Sequence, residues 1–366
     1  MASHDLKTLR QQIDLIDNQI LDLLNQRAEV VVSVGKSKEG SEKTFYVPSR
    51  EKAIYERLTG KNPGPFPNEA VCKVFREIIS ASLNMEMPMQ VAFLGPQSTF
   101  THLATMLQFG LSAQLVPLKS IPAVFEEVER GRAQYGVVPV ENSTEGVVNH
   151  TLDMFFDSEL QMIAEIMLEI SHNLLSKSGD IGKISKIVSH PQPLAQCRHW
   201  LETNMPDTPL LDVASTAAAA QMAAEDGSVA AIASHAAAVQ YDLQVVKAKI
   251  EDNPHNFTRF LVIGKNTPEK SGADKTSIMF SVKDEPGILY RMLEPFSKRE
   301  INLAKIESRP MKQKAWEYIF FLDLIGHIED PKISAAIEEL RGHCYFLKVL
   351  GAYPIARNDN IAEGKS

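Results

Sequence analysis

Cysteine is scarce in this 366-residue chain: there are three, Cys72, Cys197 and Cys344, spaced too widely for a CxxC pair, a zinc-binding spacing or a disulfide framework. No apolar run reaches the roughly 18 residues that a membrane-spanning helix needs. The opening Met1-Ala2-Ser3-His4-Asp5-Leu6 has neither the basic nor the apolar stretch of a secretory signal. These absences predict reduced thiols and a cytoplasmic location. Excess basic charge is lacking as well: 38 Lys and Arg face 46 Asp and Glu, for a formal net charge of -8. Polyanions and anionic membranes are held by basic patches, so neither nucleic acid nor a membrane is expected as a partner. There is no GxGxxG fingerprint, Walker loop, HExxH or Cys/His cluster, so no metal and no other cofactor is expected.

What is present falls into three textures, as the length of two or three domains allows. Apolar residues at Leu6, Leu9, Ile13, Ile16, Ile20, Leu23, Leu24, Val30, Val31 and Val34 have the three-four spacing of one long helix. Ser49 is positioned to cap a second helix, Asn62-Pro63-Gly64-Pro65-Phe66-Pro67 makes a turn, and a third helix runs from about Asn68 to Met85. Residues 1–88 are thus all-α, with a first helix too long for a compact monomer of that size. From Met89 short strands such as Gln90–Leu94, Tyr135–Val140, Lys186–Ser189 and Val229–Ile232 alternate with helical stretches, which predicts an α/β domain with largely parallel strands over 89–267. Thr267–Asp274 reads as a linker. Residues 275–354 follow the βαββαβ order of an α+β ferredoxin-like domain, and 355–366 read as a flexible tail. The acidic excess is confined to the middle: residues 89–267 carry 11 basic and 19 acidic side chains, while the flanking segments are balanced.

Arg10 and Arg27 lie on the first helix, roughly 25 Å apart at 1.5 Å per residue. No small ligand spans that distance, so a site using both needs one of them from an antiparallel second chain. Arginines on a charged helix face are otherwise simply solvated. The segments Leu9–Asp14, Leu24–Arg27, Val34–Lys38 and Ser49–Glu51 resemble the all-helical chorismate mutase family, in which helix-swapped dimers are the rule. The resemblance implies that Arg10 of the partner subunit and Arg27 hold the two carboxylates of chorismate, with Arg50 nearby, Glu51 on the ring hydroxyl and Lys38 on the ether oxygen. That rearrangement is pericyclic, so a fixed conformer and charge stabilisation suffice. Ser82 and Glu86 on the third helix are assigned to the same site. Glu86 stands where many relatives have glutamine; a carboxylate cannot donate, so that role needs the protonated form and predicts mutase activity that falls as pH rises. Val47 also departs from the pattern, standing where an aspartate is common.

In the middle segment four polar clusters follow strands: Gly95–Phe100, Glu141–Gly146, Ser189–Gln192 and Ser215-Thr216. Each alone is ordinary helix capping. Together with Asn256-Phe257-Thr258-Arg259-Phe260, in this order, they make the segment resemble prephenate dehydratase, which implies a two-lobed, periplasmic-binding-protein-like fold. The resemblance assigns Thr258 to the leaving ring hydroxyl and Thr99, Asn142, Ser143, Thr216 and Arg259 to substrate binding. His190 orients a loop or only supports the fold. Ser98 occupies a position that is usually glycine and should restrict its loop.

Glu285-Pro286-Gly287-Ile288-Leu289 and Ile306-Glu307-Ser308-Arg309-Pro310 resemble the ACT domains attached to prephenate dehydratases. They imply a phenylalanine pocket at a dimer interface, built from Gly287, Ile288, Leu289, Glu307, Ser308 and Arg309. The chain is therefore expected to be a multidomain, homodimeric or higher-oligomeric enzyme that takes chorismate to prephenate and prephenate to phenylpyruvate, with phenylalanine as allosteric ligand. The alternatives are an inactive amino-acid-binding regulator, or a dehydratase with a degenerate mutase.

Overall fold

A computed structural model describes residues 6–37, 46–282, 285–310 and 318–356. Lys38 and residues 357–366 of the expected tail lie outside the described residues. The described chain divides into two compact units. One comprises residues up to 47 with 54–89 and 109–114; the other comprises 48–53, 90–108 and 115 onward.

In the first unit α1 (Leu6–Ser37) is a single helix, about 48 Å long at 1.5 Å per residue. None of its residues is buried, although Leu9, Ile13, Ile16, Ile20, Leu23 and Leu24 form its apolar stripe. The helix α2 (Pro48–Lys61), of which residues 48–53 group with the second unit, begins at Pro48, with Val47 at the N-cap and no side-chain cap. Ser49 is therefore already inside the first turn, where proline's fixed φ starts the helix instead. Asn62 closes the turn after it, accepting from the Gly64 amide at 3.1 Å and donating to the Phe66 carbonyl at 2.7 Å. The helix α3 (Asn68–Glu86) follows. Close approach of α1 to α3 needs Gly35, where an added Cβ would stand 3.3 Å from Glu86 Cγ.

The second unit begins with β1 (Gln90–Leu94), α4 (Phe100–Phe109), β2 (Gln114–Leu118), α5 (Ile121–Glu129), β3 (Tyr135–Asn142), β4 (Gly146–Val147), α6 (Asn149–Asp157) and β5 (Gln161–Glu169). The chain then crosses into a second lobe made of β6 (Asn173–Ser176), β7 (Lys186–Ser189), α7 (Pro191–Gln196), α8 (Arg198–Asn204), β8 (Leu210–Asp212), α9 (Thr216–Glu225), β9 (Val229–Ala233), α10 (His235–Gln240) and β10 (Gln244–Lys247). It returns as β11 (Phe257–Gly264), which inserts between β3 and β5. The sheet orders are β2-β1-β3-β11-β5, with β4 on β3, and β10-β6-β9-β7-β8.

These sheets are mixed, not largely parallel. β1 and β3 are parallel, as are β7, β8 and β9, while β11 runs antiparallel to both neighbours and β6 to β9. The two crossings explain this, since a strand that returns from the other lobe enters its sheet in the opposite sense. The crossings are bonded to each other, Ile170 N to Asn256 O at 2.8 Å and Ile250 N to His172 O at 2.9 Å.

The C-terminal part, β12 (Asp274–Val282), α11 (Ile288–Ser297), β13 (Leu303–Pro310), β14 (Tyr318–Ile325), α12 (Pro331–Arg341) and β15 (Cys344–Pro354), forms an antiparallel sheet of order β13-β14-β12-β15. This is the expected ferredoxin-like arrangement. One face packs Ile278, Phe280, Leu322 and Leu324 against its helices. The other sends Met279, Phe321, Leu350 and Tyr353 into the core of the first lobe. At Gly351 (φ +156°) an added Cβ would stand 2.1 Å from the Met162 carbonyl oxygen, so β15 meets β5 backbone to backbone.

Candidate active sites and their coupling surface

Alternation along β11 and the residue just before it places Asn256 and Thr258 on one face and Arg259 on the other. Thr258 sits opposite Asn142, the last residue of β3. Asn142 is 7% exposed, Thr258 9% and Asn256 1%. Asn142 Nδ2 donates to Asn256 Oδ1 and to Thr258 Oγ1, both at 2.8 Å. Its Oδ1 accepts from the Thr144 amide at 3.0 Å, the Thr144 hydroxyl at 2.6 Å and the Glu145 amide at 3.1 Å. These acceptor contacts fix the amide's orientation. Thr258 Oγ1 is therefore an acceptor toward Asn142, and among the described residues its own hydrogen meets no acceptor.

The network continues across the lobes. Gln196, at the end of α7, accepts from Asn256 Nδ2 at 3.2 Å and donates to Thr144 Oγ1 and Glu145 Oε1, both at 3.3 Å. Its Oε1 also lies 2.8 Å from Nε2 of His172, a residue of the crossing. Burial pushes the His172 imidazole below its ordinary pKa, partly opposed by Gln196 and Glu251, so it is neutral at pH 7 and Nε2 carries the hydrogen toward Gln196. The sequence reading missed Gln196 and His172 and gave Asn256 no role. The period-two relation of Asn256 to Thr258 was the available signal; nothing local marked the other two.

The remaining expected residues are positioned differently. Ser143 extends the ladder: its amide donates to Phe257 O at 2.8 Å and its hydroxyl accepts from Phe257 N at 2.9 Å. Thr99 caps α4, its hydroxyl accepting from His102 N at 3.4 Å and donating to Pro96 O at 2.9 Å. Thr216 opens α9, buried, behind the Ser215 cap. His190 is the N-cap of α7, its Nδ1 accepting from Gln192 N at 3.3 Å. Ser98 is left-handed at φ +65°, the conformation that the expected glycine would adopt freely.

In the helical unit the Arg27 guanidinium donates to Ser82 Oγ, and Ser82 Oγ donates to Ile78 O at 2.6 Å. Glu86 Oε2 is buried without a hydrogen-bond partner among the described residues. Arg10 is exposed near the start of α1, and Arg50 and Glu51 occupy the first turn of α2.

The chain matches family models for chorismate mutase type II over residues 9–87, prephenate dehydratase over 91–268 and the ACT domain over 276–342. It is 50% identical to a bifunctional chorismate mutase/prephenate dehydratase of Aquifex aeolicus (strain VF5), covering 96% of this chain and 98% of that one. The chain belongs to the bifunctional chorismate mutase/prephenate dehydratase family. A Pseudomonas aeruginosa relative of the same description is 43% identical over 97% of this chain and 100% of its own. A crystal structure of prephenate dehydratase in complex with L-Phe from Arthrobacter aurescens superposes with a TM-score of 0.67 at 35% identity, covering 73% of this chain and 90% of that one.

In the dehydratase domain Arg259 turns away from Thr258, toward the ACT sheet. Its Nη1 lies 2.7 Å from Asp323 Oδ2, its Nη2 donates to Tyr353 OH at 2.8 Å, and its Nε is 2.8 Å from Glu165 Oε2. Arg259, expected to contact substrate, is thus seen here on the ACT side of β11. The ACT motif on β13 is split in the same way. Lys305, Glu307 and Arg309 pair across β14 with Asp323, Phe321 and Ile319, on the dehydratase side of the sheet; Ile306 and Ser308 pair with Leu322 and Phe320, on the helix side. Arg309 donates to Asn149 O at 2.6 Å and pairs with Asp153 at 2.5 Å, both on α6. Gly287, left-handed at φ +79°, is the N-cap of α11, followed by half-buried Ile288 and exposed Leu289.

Proposed function

We propose that residues 1–88 rearrange chorismate to prephenate, that residues 89–267 convert prephenate to phenylpyruvate, and that residues 275–354 bind phenylalanine and lower the second activity. The observation that carries the dehydratase reading is the direction of the Thr258 hydroxyl. Asn142 donates to its oxygen, which leaves the hydrogen to be given to a ligand. In the reaction the ring carboxylate departs as carbon dioxide and its bonding pair enters the ring. The carbon–oxygen bond to the ring hydroxyl then breaks with its electron pair, and that oxygen leaves as hydroxide held by the Thr258 hydrogen bond and takes its proton from solvent. A threonine of ordinary acidity cannot deliver the proton outright, so Thr258 stabilises charge on the departing oxygen by a directed hydrogen bond, with aromatisation supplying the driving force. Asn142 supports binding by holding the Thr258 hydroxyl, and family resemblance adds Thr99, Ser143 and Thr216.

For the mutase, Arg27 and Ser82 are already joined. Family resemblance adds Arg10 of the partner subunit, Lys38, Arg50, Glu51 and Glu86. The exposed stripe on α1 supports a second copy of the chain as its cover, since a contiguous apolar face of this length marks an interface. Ile16→Glu should break that helical interface and abolish mutase turnover, while prephenate turnover is kept. Among the described residues no helix is long and apolar enough to cross a membrane.

One assay series tests the whole reading: chorismate, then prephenate, is supplied with and without phenylalanine, and each product is followed. Thr258→Ala should lower kcat for prephenate far more than it raises KM. Turnover of neither substrate would return the chain to an inactive amino-acid-binding protein; turnover of prephenate alone would identify a degenerate mutase.

A further inference from the structure

Glu141 and Asn142 are consecutive on β3, as Thr258 and Arg259 are on β11, and the two dipeptides are in register: Thr258 opposite Asn142, Arg259 opposite Glu141. Successive side chains of a strand face opposite ways. The uncharged pair therefore belongs to the cleft network, while the charged pair faces the ACT sheet.

On that far side the contacts form a closed set. Burial pushes the Tyr353 phenol well above its ordinary pKa, so it is neutral and can donate. Arg259 Nη2 donates to Tyr353 OH, leaving the phenol to donate to Ser277 Oγ at 2.7 Å; Ser277 donates to Asp323 Oδ1 at 2.6 Å, and Asp323 Oδ2 returns to Arg259 Nη1. All four side chains are buried. Beside them Lys275 holds Glu165 at 2.8 Å and Lys305 holds Glu141 at 2.7 Å. The dehydratase side contributes Arg259, Glu141 and Glu165, and the ACT side contributes Lys275, Lys305 and Asp323. Each half carries one unbalanced charge, of opposite sign, so separating them would leave charge without its partner. Lys305 also directly precedes Ile306, whose side chain takes the helix face of the same strand, where Ser308 and the α11 side of the ACT domain lie.

We propose that Arg259 and Glu141 are positioning residues, through which the ACT sheet sets the geometry of the Asn142–Thr258 pair, and that Lys305 and the Tyr353–Ser277–Asp323 set are the groups that hold them. This rests on the functional reading above and gives phenylalanine regulation a physical route. A shift of β13 moves Lys305, Lys305 moves Glu141, and the neighbouring Asn142 changes the aim of the Thr258 hydroxyl.

The test uses the full-length chain and two single variants, Lys305→Gln and Tyr353→Phe. For each, kcat and KM for prephenate, the half-inhibiting phenylalanine concentration and calorimetric phenylalanine binding are measured. Lys305→Gln should raise the half-inhibiting concentration about fivefold or more, the low end of allosteric couplings, while phenylalanine still binds with an affinity within threefold. Tyr353→Phe, which removes one oxygen, should lower kcat with KM within twofold, a split that a loosely folded cleft would not give. Wild-type kcat in Tyr353→Phe together with wild-type inhibition in Lys305→Gln overturns the proposal. So does inhibition that weakens only in step with phenylalanine binding. An unsubstituted chain that does not turn over prephenate overturns the functional reading itself, and this proposal with it.

Discussion

Asn142→Asp changes one atom's chemistry and reverses the direction of a hydrogen bond. The native amide donates to Thr258 Oγ1 and to Asn256 Oδ1, while its oxygen accepts from Thr144 and Glu145. A carboxylate of the same shape keeps all three acceptor contacts, so the loop after β3 should hold. It cannot donate, however, and the Thr258 hydroxyl then turns its hydrogen inward to the new anion and withdraws it from substrate. Loss of one preorganised donor at a developing negative charge costs about 10²–10³ in kcat, or about 2.7–4 kcal/mol. The assay is phenylpyruvate formation at saturating prephenate, with mutase turnover of the same preparation fixing the amount of active chain. The sign of the pH dependence follows from the mechanism. Protonated aspartic acid can donate one hydrogen bond, so the variant should regain activity as pH falls through its carboxyl titration, where the unsubstituted enzyme has no such gain. A variant within threefold of wild type near neutral pH would refute the assigned direction of the Thr258 hydrogen.

Gly351→Ala should lower the thermal midpoint of the second unit and uncouple phenylalanine from turnover, because its Cβ would stand 2.1 Å from Met162 O; an unchanged melting curve counts against the close contact of β15 with β5. Acid stability carries a further sign. Burial raises the Asp323 pKa, but Arg259, Lys275 and the hydrogen bonds from Ser277 and Arg259 outweigh it and hold the carboxyl below its ordinary value. Its contribution to stability is therefore full above the usual carboxylate range of about 4 and is lost as pH falls through the depressed value. Asp323→Asn should remove this part of the acid-unfolding profile followed by circular dichroism, and an unchanged profile speaks against the pair.

The domain order and the long first helix were legible because both rest on periodicity that local sequence carries. Three features were not. Gln161–Glu169 has two isoleucines among seven Gln, Met, Ala, Leu and Glu residues, a weak strand signal, and it pairs along its whole length with β11; tertiary pairing overrides propensity there. Ser49 resembles a cap, yet Pro48 one residue earlier starts the helix. Arg259 and the β13 motif were read as contiguous blocks, whereas a strand divides a block between two faces. Thr258 and Arg259 part company for that reason, and so do Ser308 and Arg309.

That division changes what the acidic charge of the middle segment means. Residues 89–267 carry 11 basic and 19 acidic side chains, and their proposed substrate is a dianion. Two of those acids, Glu141 and Glu165, are paired with Lys305 and Lys275 of the ACT sheet, so part of the excess serves domain attachment. Arg259, the cation that family resemblance assigned to substrate binding or support, faces the same way. The core of the cleft network is Asn142, Asn256, Thr258, Gln196 and a neutral His172, all uncharged. On the function proposed above, prephenate is expected to be held by hydroxyls, amides and backbone N–H groups at short range, where salt screens little. Between roughly 0.02 and 0.3 M salt, across which the Debye length falls to under about 10 Å, KM for prephenate should change less than about threefold. A steep rise would mean that a cation outside this network captures the substrate.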